Sequence, residues 1–212
     1  MDVGHYVAHF ACRHNNLHHQ SEDMTAYAFD HLVFIGRFQP FHLAHLQTVQ
    51  IALQHSRKVI LALGSAQPER NLKNPFLAQE REQMILSNFT EADQARIQFV
   101  HIIDVYNDVK WVKLVKERVA SVTQLGQKIG LIGHFKDESS YYLQLFPEWE
   151  MLELDSLVGA ISATPLREAY YRGEIQREFF PQGTIDFLQK FQSTAIYLQL
   201  QHKYQQQDTS NI

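Results

Sequence analysis

Between Asp30 and Tyr204, short apolar runs alternate with stretches whose apolar positions recur every three or four residues. The runs Leu32–Gly36, Lys58–Gly64 (KVILALG), Ile97–Ile103, Lys128–Gly133 (KIGLIG) and Trp149–Leu154 read as strands. Most carry apolar residues back to back, which marks strands covered on both faces and therefore a parallel sheet. Leu43–His55, Ala78–Phe89, Val109–Thr123, the short Ser139–Phe146 and Thr164–Arg172 read as helices, the last stopped by Gly173. Gly183–Tyr204 reads as one long final helix running into a Gln-rich tail. The expected fold is α/β, a Rossmann-like parallel sheet with helices on both faces. In such sheets ligands bind beyond the carboxyl ends of the strands, where the strand order reverses. Gly36, Gly64 and Gly133 each close a strand, so the loops after them share one rim.

Two segments on that rim carry chemistry. The first is Gly36-Arg37-Phe38-Gln39-Pro40-Phe41-His42-Leu43-Ala44-His45, where a buried strand turns into an amphipathic helix. Backbone N–H groups at a helix N-terminus are unpaired and carry partial positive charge, so anions settle there. His42 and His45, three residues apart, share a helix face and can donate to one polyphosphate. The second segment is Ile161-Ser162-Ala163-Thr164-Pro165-Leu166-Arg167. Ser162 or Thr164 is a natural N-cap, Pro165 suits an early helical position, and the Arg167 fork matches a phosphate. Alone, this is a plain helix start with a surface arginine; beside the His-x-x-His turn it becomes a second anion site.

Composition narrows the partners. The chain of 212 residues has a net charge of −4, with 19 basic and 23 acidic residues, so no global positive field points to nucleic acid. Cys12 is the only cysteine, which rules out an intrachain disulfide and fits a reducing compartment. No apolar run is long enough to span a bilayer, and the N-terminus lacks the pattern of a signal peptide. A cytoplasmic protein without membrane contacts, assembled as a homo-oligomer, is expected. Residues 1–29 differ from the rest: His5, His9, His14, His18 and His19 lie near Cys12, but their spacing fits no zinc pattern. They read as a poorly ordered extension, with Met24 an alternative start. Residues 30–180 form the main α/β domain in this reading, and 181–212 a C-terminal helix and polar tail.

The combination GRFQPFHxxH and ISxTxxR resembles the nucleotidyltransferase superfamily of nicotinamide mononucleotide adenylyltransferases. Gly64-Ser65-Ala66-Gln67, Lys73-Asn74-Pro75-Phe76 and Glu80-Arg81 are similar to the archaeal type. Gly133-His134-Phe135-Lys136-Asp137-Glu138-Ser139-Ser140-Tyr141-Tyr142-Leu143 is similar to the adenylyltransferase half of bifunctional adenylyltransferase/Nudix proteins. The resemblance covers about residues 30 to 180. Two departures stand out: Ala44 replaces the glycine common before the second histidine, and no Nudix signature is present, so no Nudix activity is expected.

The resemblance implies that ATP and nicotinamide mononucleotide (NMN) give NAD and pyrophosphate, with Mg²⁺ accompanying ATP and no protein metal site. It implies that His42 and His45 bind ATP phosphates, that Gly36, Arg37 and Phe38 form the phosphate turn, and that Lys73 reaches the triphosphate. Ser162, Thr164 and Arg167 would hold the β- and γ-phosphates, and Gly133 would let adenine and ribose approach the backbone. Asn107 and Trp111 would receive nicotinamide, an indole face stacking on the cationic ring and an amide meeting its carboxamide. Asp104 reads as a solvated strand end that can help orient nicotinamide. Arg81 is open between a helix-start role and a reach into the site. Tyr141 and Tyr142 read as packing. The alternatives are phosphopantetheine or cytidylyl transfer on the same fold, a non-catalytic nucleotide sensor, or metal sensing by the His-rich leader.

Overall fold

The computed structural model describes residues 27–133, 138–154 and 161–209. The His-rich leader with Cys12 and Met24, and the loop 134–137, lie outside the described residues. The strands are β1 (Phe29–Gly36), β2 (Ser56–Leu63), β3 (Ile97–His101), β4 (Ile129–Gly133) and β5 (Glu150–Glu153). They form one sheet in the order β3-β2-β1-β4-β5, with every neighbouring pair parallel. The chain steps outward from β1 to β3, then crosses back to place β4 on the other side of β1. The reversal therefore lies between the carboxyl ends of β1 and β4, at Gly36 and Gly133.

Successive strand residues point to opposite faces, and both faces are apolar. On one, Leu32, Leu61 and Leu63 pack under α1 (Leu43–His55), α2 (Ala78–Leu86) and the C-terminal helices. On the other, Val33, Ile60 and Ala62 pack against Val115 and Val119 of α4 (Asp108–Ala120) and against Leu143 and Phe146. Each such side chain contributes roughly 1.5–3 kcal/mol on full burial, which explains why runs of this kind prefer a central parallel strand. Between α2 and β3 lies the one-turn α3 (Glu91–Gln94), and the segment predicted as helix over Ser139–Phe146 is a 3₁₀ helix spanning Glu138–Leu145.

The C-terminal region departs from the expectation of one long helix. After α5 (Ala163–Tyr171), which Gly173 closes at φ 93, come α6 (Gln182–Gln192) and α7 (Ala195–Thr209). The break is local side-chain chemistry at two hydroxyl residues. Ser193 Oγ donates to the Lys190 carbonyl, and Thr194 Oγ1 donates to the Phe191 carbonyl, both at 2.7 Å. Thr194 Oγ1 also accepts from the Tyr197 N–H, opening the new helix. The turn carries Tyr197 and Leu200 into the first core layer, where the Tyr197 hydroxyl donates to the Tyr170 carbonyl at 2.7 Å.

Candidate active site

The turn after β1 is built by its aromatic residues. Phe38 sits at φ 50 and is 1 % exposed, with its ring tucked beneath Gly36. A Cβ on Gly36 would lie 2.8 Å from that ring, so the position requires glycine. The Phe38 ring therefore supports the turn from below. Gln39 is buried and exchanges hydrogen bonds with the Phe76 backbone, Nε2 donating at 2.8 Å and Oε1 accepting at 3.0 Å. That pair fastens the turn to the loop between β2 and α2, which the sequence spacing alone does not reveal.

His42 caps α1 and is buried; His45 stands one turn on. Their rings stack at 3.5 Å, and His45 also packs against Phe38 and Phe41. The His42 backbone N–H donates to His45 Nδ1 at 3.3 Å. Because Nδ1 accepts, the proton of the neutral ring sits on Nε2, which makes Nε2 the donor.

The second helix mouth meets the first. Arg167, 5 % exposed, reaches from α5 to donate Nη1 to the Gln39 carbonyl at 2.9 Å, while Nη2 donates to Thr164 Oγ1 at 3.2 Å. Burial, and then the nearby Arg37 guanidinium, hold the Arg167 pKa below its ordinary value. Two guanidiniums that disfavour each other's charge are the arrangement an anion relieves. Ser162 is the N-cap of α5 and is exposed, with no side-chain capping bond.

Beside these mouths lies a cleft of about 390 Å³ lined by Arg37, Ser65, Gln67, Glu69, Asn71, Lys73, Asn74, Asp104 and Tyr106. The Lys73 loop is shaped by Asn71 Oδ1, which accepts the N–H groups of Lys73 and Asn74 at 2.9 Å. The Tyr171 hydroxyl ties the same loop to α5 through the Leu72 carbonyl. Glu80 pairs with Arg70 and not with its neighbour Arg81, which turns inward.

A second cavity of about 250 Å³ adjoins the cleft, sharing Asp104 and Tyr106 with it. Val105, Asn107, Asp108, Trp111, Tyr141 and Tyr142 complete its wall. Asn107 caps α4, its Oδ1 accepting the Lys110 N–H at 2.9 Å. Trp111 is half-buried and held edge-on by Tyr142 and Phe146. The Tyr142 hydroxyl donates to the Ile35 carbonyl, and burial pushes its pKa up to about 12. Tyr142 thus belongs to the wall as well as to the packing. Asp104 accepts from Ser65 Oγ at 3.1 Å, at the junction of the two cavities. Gly133 is buried at the end of β4, its carbonyl accepting the Leu154 N–H. The structure thus brings His42, His45, Arg37, Lys73 and Arg167 to one edge and sets Asn107 and Trp111 next to them.

Comparison with known proteins identifies the family. A family model described as cytidylyltransferase-like matches residues 33–119. The chain is 68 % identical over 186 residues to a nicotinamide/nicotinic acid mononucleotide adenylyltransferase of Acinetobacter baylyi, covering 88 % of this chain and 99 % of that one. The chain belongs to the nicotinamide/nicotinic acid mononucleotide adenylyltransferase family. A more distant member, the nicotinamide-nucleotide adenylyltransferase of Pyrococcus abyssi, is 28 % identical over 74 % of this chain and 82 % of its own. Among solved structures, a bifunctional NMN adenylyltransferase/ADP ribose pyrophosphatase from Francisella tularensis, complexed with AMP and a manganese ion, superposes with a TM-score of 0.75 at 36 % identity. That match covers 82 % of this chain and 52 % of the other, so the chain spans about half the length of the bifunctional protein. No helix among the described residues is long and apolar enough to cross a membrane.

Proposed function

We propose that the chain transfers the adenylyl group of ATP to NMN, with the cleft that holds Arg37 and Lys73 receiving the triphosphate and the aromatic cavity holding the nicotinamide ring. The observation that supports the residue assignment is the Arg167–Gln39 hydrogen bond, which ties the two helix mouths together. A 5′-phosphate oxygen of the mononucleotide attacks the α-phosphorus; a new P–O bond forms, the bond to the β-phosphate bridging oxygen breaks, and pyrophosphate leaves. The nucleophile is already ionised, so catalysis consists of positioning the reactants and neutralising developing charge.

In this reading His42 and His45 donate to the ATP phosphates, with His45 Nε2 nearest the bridging oxygens. Arg37, Lys73 and Arg167 neutralise the departing pyrophosphate, helped by Ser162 and Thr164. Gly36 and the Phe38 backbone form the phosphate turn, and Gly133 gives adenine and ribose room at the end of β4. Trp111 stacks on the pyridine ring and Asn107 meets its carboxamide through an NH₂ group that makes no hydrogen bond among the described residues. Mg²⁺ enters as part of the ATP substrate. Among the described residues no cluster of three His, Cys, Asp or Glu side chains is placed to hold an ion. A cation carried on phosphate oxygens and water suits Mg²⁺. A single cysteine supports a reducing, cytoplasmic setting.

Incubation with ATP, Mg²⁺ and a panel of acceptors tests this reading. NMN is expected to give NAD with one pyrophosphate released per turnover. Transfer only to phosphopantetheine, or ATP binding without pyrophosphate release, would overturn it.

A further inference from the structure

Arg81, the fourth residue of α2, is fully buried and lies behind the cleft. Its Nη1 donates to the carbonyl oxygens of Arg37 and Gly64, each at 2.7 Å, and its Nη2 to that of Ser65 at 3.3 Å. Its Nε has no hydrogen-bond partner, and no ion pair among the described residues includes it. A buried guanidinium usually comes with a carboxylate, because stripping water from a lone charge is costly. Burial brings its pKa down to about 10, while Glu82 and Asp104 act in the opposite direction without touching it.

The three carbonyls belong to the turns that leave β1 and β2. Arg37 and Ser65 themselves line the 390 Å³ cleft. Ser65 sits at φ 49, a left-handed conformation that persists only when its surroundings hold it. The Gly64 N–H donates to the Gly36 carbonyl, which ties the two turns together. A carbonyl tied to Arg81 does not turn its negative end toward a phosphate. We infer that Arg81 is a positioning residue for ATP: its fork holds the Arg37 and Ser65 turns in the shape that receives the triphosphate. This rests on the assignment of the cleft to ATP.

Arg81→Lys keeps the charge and loses the fork; Arg81→Met loses both. With folding of each sample verified by circular-dichroism melting, kcat/KM is measured for ATP at saturating NMN and for NMN at saturating ATP. The Met variant is expected to lose about 100-fold in kcat/KM for ATP with less than about threefold change in KM for NMN, and the Lys variant to recover part of that loss. In an Arg37→Ala background the Arg81→Lys effect is expected to shrink by at least about threefold, since the side chain it positions is gone. A KM for NMN that rises as much as kcat/KM for ATP falls, wild-type kcat/KM for ATP in the Lys and Met variants, or strict additivity with Arg37→Ala would overturn the inference. Absence of NAD formation by the unaltered protein would instead remove the assigned reaction itself.

Discussion

His45 is held by its neighbours more than by its own helix: a stacked imidazole on one side, Phe38 and Phe41 around it, and a backbone N–H that selects its tautomer. Such a ring is a pre-oriented donor, which is what a charge developing in a transition state needs. His45→Ala is expected to lower kcat by roughly 10²–10³-fold with the far-ultraviolet circular dichroism unchanged; near-normal turnover would return the ring to a packing role. Trp111 presents the opposite case, a side chain half in the core and half on a cavity wall. Trp111→Ala is expected to raise KM for NMN by about tenfold or more, from lost stacking of roughly 1–3 kcal/mol, while KM for ATP changes little. Equal effects on both substrates would assign Trp111 to the core.

At the scale of elements, most boundaries follow from residues read in order. The glycines that close β1, β2 and β4 and the Gly173 stop appear where the pattern places them, while the Asn107 cap starts α4 one residue before the expected Val109. The break between α6 and α7 was also written locally, in adjacent Ser193 and Thr194, but an apolar period running across them hid it. Other element contacts have no local sign. Gly183 at the start of α6 lies against the end of α2, where an added Cβ would approach the Ser87 carbonyl oxygen to 2.6 Å. Backbone cannot yield as a flexible side chain does, so Gly183→Ala is expected to destabilise by about 1–3 kcal/mol. Thermal melting reads this as a drop of several degrees, and an unchanged melting temperature would show that the two helices slide apart freely.

For the whole molecule, one contribution to acid stability comes from the end of the sheet away from the site. His31 on β1 is buried, and desolvation, followed by the charge of Lys58, lowers its pKa below the ordinary 6.5. The unfolded chain therefore takes up a proton before the folded one does as pH falls. Stability is expected to be flat above about pH 6.5 and to decline below it until the folded-state pKa is passed. Melting curves between pH 7.5 and 5 check this, and His31→Leu is expected to flatten the slope; an unchanged slope would assign the decline to other groups.

The chain's order of residues settles what short-range chemistry can settle. Back-to-back apolar runs demand a sheet covered on both faces, glycines end three of the five strands, and the two phosphate-type turns carry their own histidines and arginine. Only folding decided that Arg167 reaches Gln39, 128 positions away, and that Gln39 meets Phe76. Those contacts are made by long side chains whose partners are backbone carbonyls and N–H groups, and every residue has these. No residue type at either end announces such a pairing; three-dimensional proximity alone selects it.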